Sequence, residues 1–124
     1  MSPRSVCGVN KRTPLEITSI EFPSTSMPAT AEFLETVCGW SPTVDGTSFT
    51  SLMGGGVDVG IQGDADEQSP APLLVIRVAD LDEARQRVEG AGGTVTFGPI
   101  DFPGGCRFHF REPGGNELAM WVAR

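Results

Sequence analysis

The sequence predicts an α+β domain made of two β-α-β-β-β modules in tandem. Three observations carry this prediction. Two stretches with helical periodicity each follow a short apolar strand. The segment RFHFREPGGNELAMWVAR, from Arg107, alternates strictly on both sides of a Pro-Gly-Gly turn. The order strand, helix, strands occurs twice, each time in roughly 50 residues, which marks repetition of a whole supersecondary unit.

The elements follow in chain order. Residues 1–14 lack periodicity and are expected to form a flexible tail. The single domain spans 15–124, with module one at 15–62, an acidic linker at 63–72 and module two at 73–123. LEITSIEF opens module one as a strand, with Thr18, Ile20 and Phe22 on one side and Ile17, Ser19 and Glu21 on the other. In the next stretch Ser26 is the expected N-cap and Pro28 suits a first turn. Met27, Ala31, Leu34 and Val37 or Cys38 form the apolar stripe, and Gly39 ends the helix. Strands are expected around 47–52 and 57–62, with the glycines 54–56 as a hairpin tip.

In module two LLVIRV (73–78) is a strand. Asp80 caps a helix with Glu83 at capping-box spacing, Leu81, Ala84, Val88 and Ala91 share one face, and Gly92-Gly93 closes it. TVTF (94–97) is a strand, followed by a Pro/Gly-rich loop and the last hairpin, whose turn is Glu112-Pro113-Gly114-Gly115-Asn116.

Composition narrows the partners. The 124 residues suit one domain with a real core, and no apolar run approaches the ~20 residues of a membrane span. A net charge of −7 repels nucleic acid and anionic lipid, so neither is an expected partner. The three cysteines, Cys7, Cys38 and Cys106, match neither a disulfide framework nor a paired CxxC zinc site. Reduced thiols and the absence of an apolar leader segment in 1–14 point to the cytoplasm.

Three segments carry a family resemblance: a first strand and helix ending in CGW (38–40), RVADLDEARQRVEGAGG (77–93) and FREPGGNELAMW (110–121). The second resembles a V-x-D-x-(D/E)-x-A strand-to-helix step, and the third a D-P-x-G-N-x-x-E hairpin with Glu112 in place of Asp. Together, from Leu15 to Val122, they resemble the vicinal oxygen chelate superfamily of glyoxalase I, bleomycin-resistance proteins, methylmalonyl-CoA epimerase and extradiol dioxygenases. The resemblance implies two βαβββ modules forming a curved mixed sheet around a concave pocket, and a homodimer. Fold alone does not settle chemistry.

Members with metal chemistry place His, Gln or Glu on the concave face. Carried onto this chain, those positions fall on Ser19, Leu73 and Ala119, with the fourth near Asp58 to Gly60. Leucine and alanine cannot ligate and serine is a poor ligand, so no metal and no other cofactor is expected. A divalent ion would need a shifted set around His109, the sole histidine, with Glu21, Asp58 and Glu117.

Alternation then gives the lining of the implied pocket. Ser19, Glu21, Asp58, Leu73, Val75, Arg77, Arg107, His109, Glu117 and Trp121 are the candidate ligand-binding residues, with Gln62 and Ala119 on the same face. Glu21 and Arg77, at corresponding points of the two modules, predict an ion pair, while Arg77 or Arg107 suits a ligand carboxylate or phosphate. Trp40, just past the first helix, is expected to pack, and Trp121 is the better stacking candidate. Two functions follow. The first is a metal-free protein that sequesters a small hydrophobic or aromatic compound. The second is a glyoxalase-like isomerase or lyase with Glu21 or His109 as general base.

Overall fold

A computed structural model describes residues 14–43, 46 and 48–124. Residues 1–13 of the expected tail, and Thr47 at the expected start of a strand, lie outside the described residues.

The chain forms β1 (Glu16–Pro23), α1 (Met27–Cys38), β2 (Ser41–Thr43), β3 (Phe49–Met53) and β4 (Asp58–Gln62), then β5 (Leu73–Arg77), α2 (Leu81–Gly90), β6 (Thr94–Phe102), β7 (Gly105–Arg111) and β8 (Glu117–Ala123). All eight strands join one mixed sheet in the order β2-β3-β4-β1-β5-β8-β7-β6. Each module closes by parallel pairing of its first and last strands, β1 with β4 and β5 with β8. The modules meet at the antiparallel β1–β5 seam, where Ser19 faces Val75 and Glu21 faces Leu73. The sheet is curved and unclosed.

Both helices lie on the outer face. Ala31 of α1 packs with Leu52, Val59 and Ile61, joined by Phe22, Met27, Leu34 and Trp40. Ala84 of α2 packs with Val78, Phe108 and Phe110. The inner face carries its own small cluster of Leu73, Val75 and Ala119. Period two thus sends alternate residues of β8 to two different cores, Leu118, Met120 and Val122 to the outer one and Ala119 and Trp121 to the inner one.

The helix signals differ in outcome. Asp80 caps α2 as its spacing predicts, accepting from the Glu83 amide at 3.1 Å. Ser26 occupies the N-cap of α1, but its hydroxyl makes no capping bond. Instead Ser24 Oγ accepts the Ser26 amide at 2.9 Å and bonds Thr30 Oγ1 at 2.7 Å. Val37 departs from the expected stripe: it and Phe33 point to solvent, because the turn centred on Ala31 and Leu34 already fills the contact with the sheet.

Two strands also differ from expectation. The short β2 has no periodicity to announce it; its Ser-Pro-Thr is exposed throughout and held by pairing to β3. The strand expected at 94–97 continues as β6 to Phe102, through a cis Gly98-Pro99 bond and two register shifts. Proline lacks an amide hydrogen, which a sheet edge tolerates because its outer side has no ladder to join. At the last turn Glu112 accepts from the amides of Gly114 (2.6 Å) and Asn116 (3.0 Å). These bonds hold its carboxyl below the usual carboxylate range and show how Glu serves where Asp is usual. Among the described residues no helix is long and apolar enough to cross a membrane.

Candidate functional site

The floor of the concave face is apolar. Leu73, Val75 and Ala119 are 1%, 4% and 0% exposed, with Trp121 packed against them. Aromatic rings stand around it. Phe49 lies on Gly60 beside Glu21, where a Cβ on residue 60 would fall 2.6 Å from the ring, so only glycine admits it. Phe97 meets the His109 imidazole at 4.8 Å, and Phe102 meets Trp121 at 6.0 Å. Trp121 is held by its indole N–H, which donates to Thr18 Oγ1 at 2.8 Å.

Over this floor runs a chain of polar groups. Arg107 on β7 donates to both oxygens of Glu21 on β1, each at 2.9 Å. Two strands, β5 and β8, separate these elements, so the fork spans the concavity and ties one module to the other. Arg107 Nη2 also contacts His109 Nε2 at 2.8 Å. An arginine can only donate, so Nε2 is the acceptor and the imidazole proton sits on Nδ1, which faces Glu117 Oε2 at 3.7 Å. Thr96 Oγ1 completes the chain, donating to Glu117 Oε2 at 2.6 Å. Burial, and next the adjacent Arg107, push the His109 pKa below 6.5, although Glu117 and Glu21 oppose the shift. His109 is therefore neutral at pH 7.

The structure brings Glu21, Leu73, Val75, Arg107, His109, Glu117 and Trp121 together and leaves others aside. Ser19 is half-buried between Asp58 and Val75, while Asp58 is exposed at the outer end of β4. Gln62 turns to the rim, accepting from the Asp64 amide at 2.9 Å. The expected Glu21–Arg77 ion pair does not form. Strand register places Leu73 opposite Glu21 and Glu16 opposite Arg77, so the two charges stand at different ends of the seam. Arg77 instead lies over the Trp121 ring, 5.4 Å from its centroid.

Sequence reasoning missed Thr18, Phe49, Phe97 and Thr96. Alternation places Thr18 with Ile20 and Phe22, opposite Ser19 and Glu21, but a register shift between Ile17 and Ser19 turns its hydroxyl to Trp121. The glycine at position 60, in a strand whose neighbours are large, is the available sign that a ring lies there. Trp40 packs as expected, against the backbone of Gly54 and Gly55.

A divalent metal does not fit these residues. The inner face carries Ser19, Leu73 and Ala119 at three of the positions where ligands would stand, and at the fourth, near Asp58 to Gly60, Asp58 is exposed. Glu21 and His109 direct their donor atoms at a guanidinium, whose positive charge would repel a second cation. Among the described residues no group of three or more His, Cys, Asp or Glu is placed to hold a metal ion.

Known proteins share this architecture. An uncharacterized protein of Mycolicibacterium smegmatis is 29% identical over 107 residues, covering 86% of this chain and 92% of the relative. The structure of a glyoxalase/bleomycin resistance protein/dioxygenase superfamily member from Vibrio splendidus superposes with a TM-score of 0.65 at 17% identity, over 90% of this chain and all (100%) of that one. The Mn(II)-bound glyoxalase of Novosphingobium aromaticivorans gives 0.63 at 21% identity, over 86% of this chain and 38% of that one. The sequence itself matches the family over residues 16–120. With its paired modules and concave inner face, the chain belongs to the Glyoxalase/Bleomycin resistance protein/Dioxygenase superfamily.

Proposed function

We propose that this protein binds and sequesters a small hydrophobic or aromatic compound on the concave face without a metal. One observation carries the reading: Glu21 and His109, the inner-face groups best suited to ligate a metal or abstract a proton, are both engaged by Arg107. What remains for recognition is the floor of Leu73, Val75 and Ala119 and the rings of Phe49, Phe97 and Trp121. Because the floor is almost fully buried, a ligand enters by displacing the Arg107 fork. Separating that buried pair has a cost, about 3–5 kcal/mol where one charge is left unpaired, which the ligand's own contacts must offset. Acting as a general base would require Glu21 or His109 to give up the same partner. A cytoplasmic homodimer, as the composition and the family likeness imply, is part of the proposal.

The test is thermal unfolding of chelator-treated protein with Ni²⁺, Zn²⁺, Mn²⁺ or Fe²⁺, and then with a library of small aromatic compounds. A ligand present at about 100 times its Kd adds about 2.7 kcal/mol. The expected outcome is stabilisation by an aromatic compound and by none of the ions. Stabilisation by an ion that disappears in His109→Ala, or turnover of a hemithioacetal, would establish the enzyme in its place.

A further inference from the structure

We infer that Arg77 is the group that reads ligand charge, and that the compound held on the concave face is an organic anion, a carboxylate on an apolar or aromatic body. The inference rests on the proposed small-molecule role of this face and specifies its ligand class.

Two arginines flank Trp121 in strand register, Arg77 on β5 and Arg107 on β7. Arg107 is already neutralised by a carboxylate in fork geometry, so an incoming anion would have to displace Glu21 from it. Arg77 has no such partner: among the described residues it makes neither a hydrogen bond nor an ion pair, and its side chain is exposed. The facing Glu16 is a register neighbour on β1 but forms no ion pair with it.

Arg77 is nonetheless positioned. Its guanidinium carbon lies 5.4 Å from the Trp121 centroid, and a cation–π contact uses the charge without consuming any N–H donor. Trp121 is in turn anchored by its bond to Thr18 and flanked by Phe102, tilted 58° to it. The result is a planar five-donor fork on a fixed aromatic support, the geometry that suits a carboxylate. Arg77 also borders an open cleft of about 470 Å³ at the end of the seam, with Pro14, Leu15, Glu16, Val78 and Val122; none of the floor residues line it, so it meets the concave face only through Arg77. In a molecule of net charge −7, an anion needs a local positive group to approach this face. With its charged end on Arg77, a ligand body extends past Trp121 toward Val75 and Ala119, along the same inner face.

The experiment is isothermal titration of naphthoate and of its neutral isostere naphthamide into the wild-type protein, Arg77→Met and Arg77→Lys. The acid should bind wild type about tenfold or more tightly than the amide, the margin of a charge-assisted fork. In Arg77→Met the acid should lose its advantage and bind no more tightly than the amide binds the same variant. Arg77→Lys should keep part of the preference, as a point charge does. Equal binding of acid and amide to wild type overturns the inference and leaves the binding role standing. A preference that survives in Arg77→Met overturns it as well. Failure of both compounds to bind overturns the inference, and the neutral aromatic library then judges the binding role separately.

Discussion

Arg77 and Arg107 stand on the two strands that flank Trp121, on the same face of the same module, yet they live in opposite environments. Arg107 is folded over an apolar floor, 13% exposed, forked to a carboxylate from the other module and in contact with a histidine. Arg77 lies at the open end of the seam with an indole behind it and solvent in front. Residue type and strand face do not separate the two. What separates them is the reach of the curved sheet, which brings β1 within a side chain's length of β7 while Arg77, at the far end of β5, is exposed among the described residues. A buried charge in such a sheet ties the modules together, and an exposed one is free to meet a partner from outside.

The largest effect should come from breaking the buried member. Arg107→Met strands Glu21 under 7% exposure, and removing one partner of a buried pair costs about 3–5 kcal/mol in denaturant unfolding. Pairing it with Glu21→Leu should restore most of that loss, because two apolar side chains of similar volume replace the pair without leaving a charge behind. If the double variant is as unstable as the single one, the cost lies in packing and the fork is not what separates the two arginines.

The histidine beside Arg107 gives a smaller signature, in pH. The native state holds His109 below 6.5, so as the medium falls through 6.5 the unfolded chain takes up a proton before the folded one does. Stability from this group is therefore complete above 6.5 and declines as pH drops from there toward the lowered native value. In His109→Gln that part of the slope should vanish, seen as a flatter urea-midpoint curve against pH. An unchanged slope would mean His109 does not serve as a neutral acceptor for Arg107. The smallest effect belongs to Arg77→Met, whose unfolding free energy should stay within about 0.5 kcal/mol of wild type. A loss of several kcal/mol would make Arg77 structural and erase the contrast.

Much of this was legible in the chain. The two periods in 73–93 and the alternation in 107–122 mark the strands and helices because most of their apolar residues pack into one of two cores. The family segments carried the curvature. Alternation also put Glu21, Arg107 and His109 on one face correctly. Their pairing escaped it, because Glu21 and Arg107 lie two strands apart, and only the bend of the sheet makes them neighbours. Thr18 escaped for a local reason, since one extra residue in β1 reverses the parity on which alternation depends. Phe97 and Thr96 were hidden by the irregular register of β6, whose Gly-Pro step resembles the end of a strand.

The register around Arg77 carries one more consequence. Glu16 and Trp121 are its neighbours on either side, so the start of β1 and the end of β8 are separated by a single strand, about 10 Å. No ladder depends on which module is synthesised first. A circular permutant opened within 63–72 and closed by a short linker from β8 to β1 would keep every strand pairing, with the last module now leading the chain.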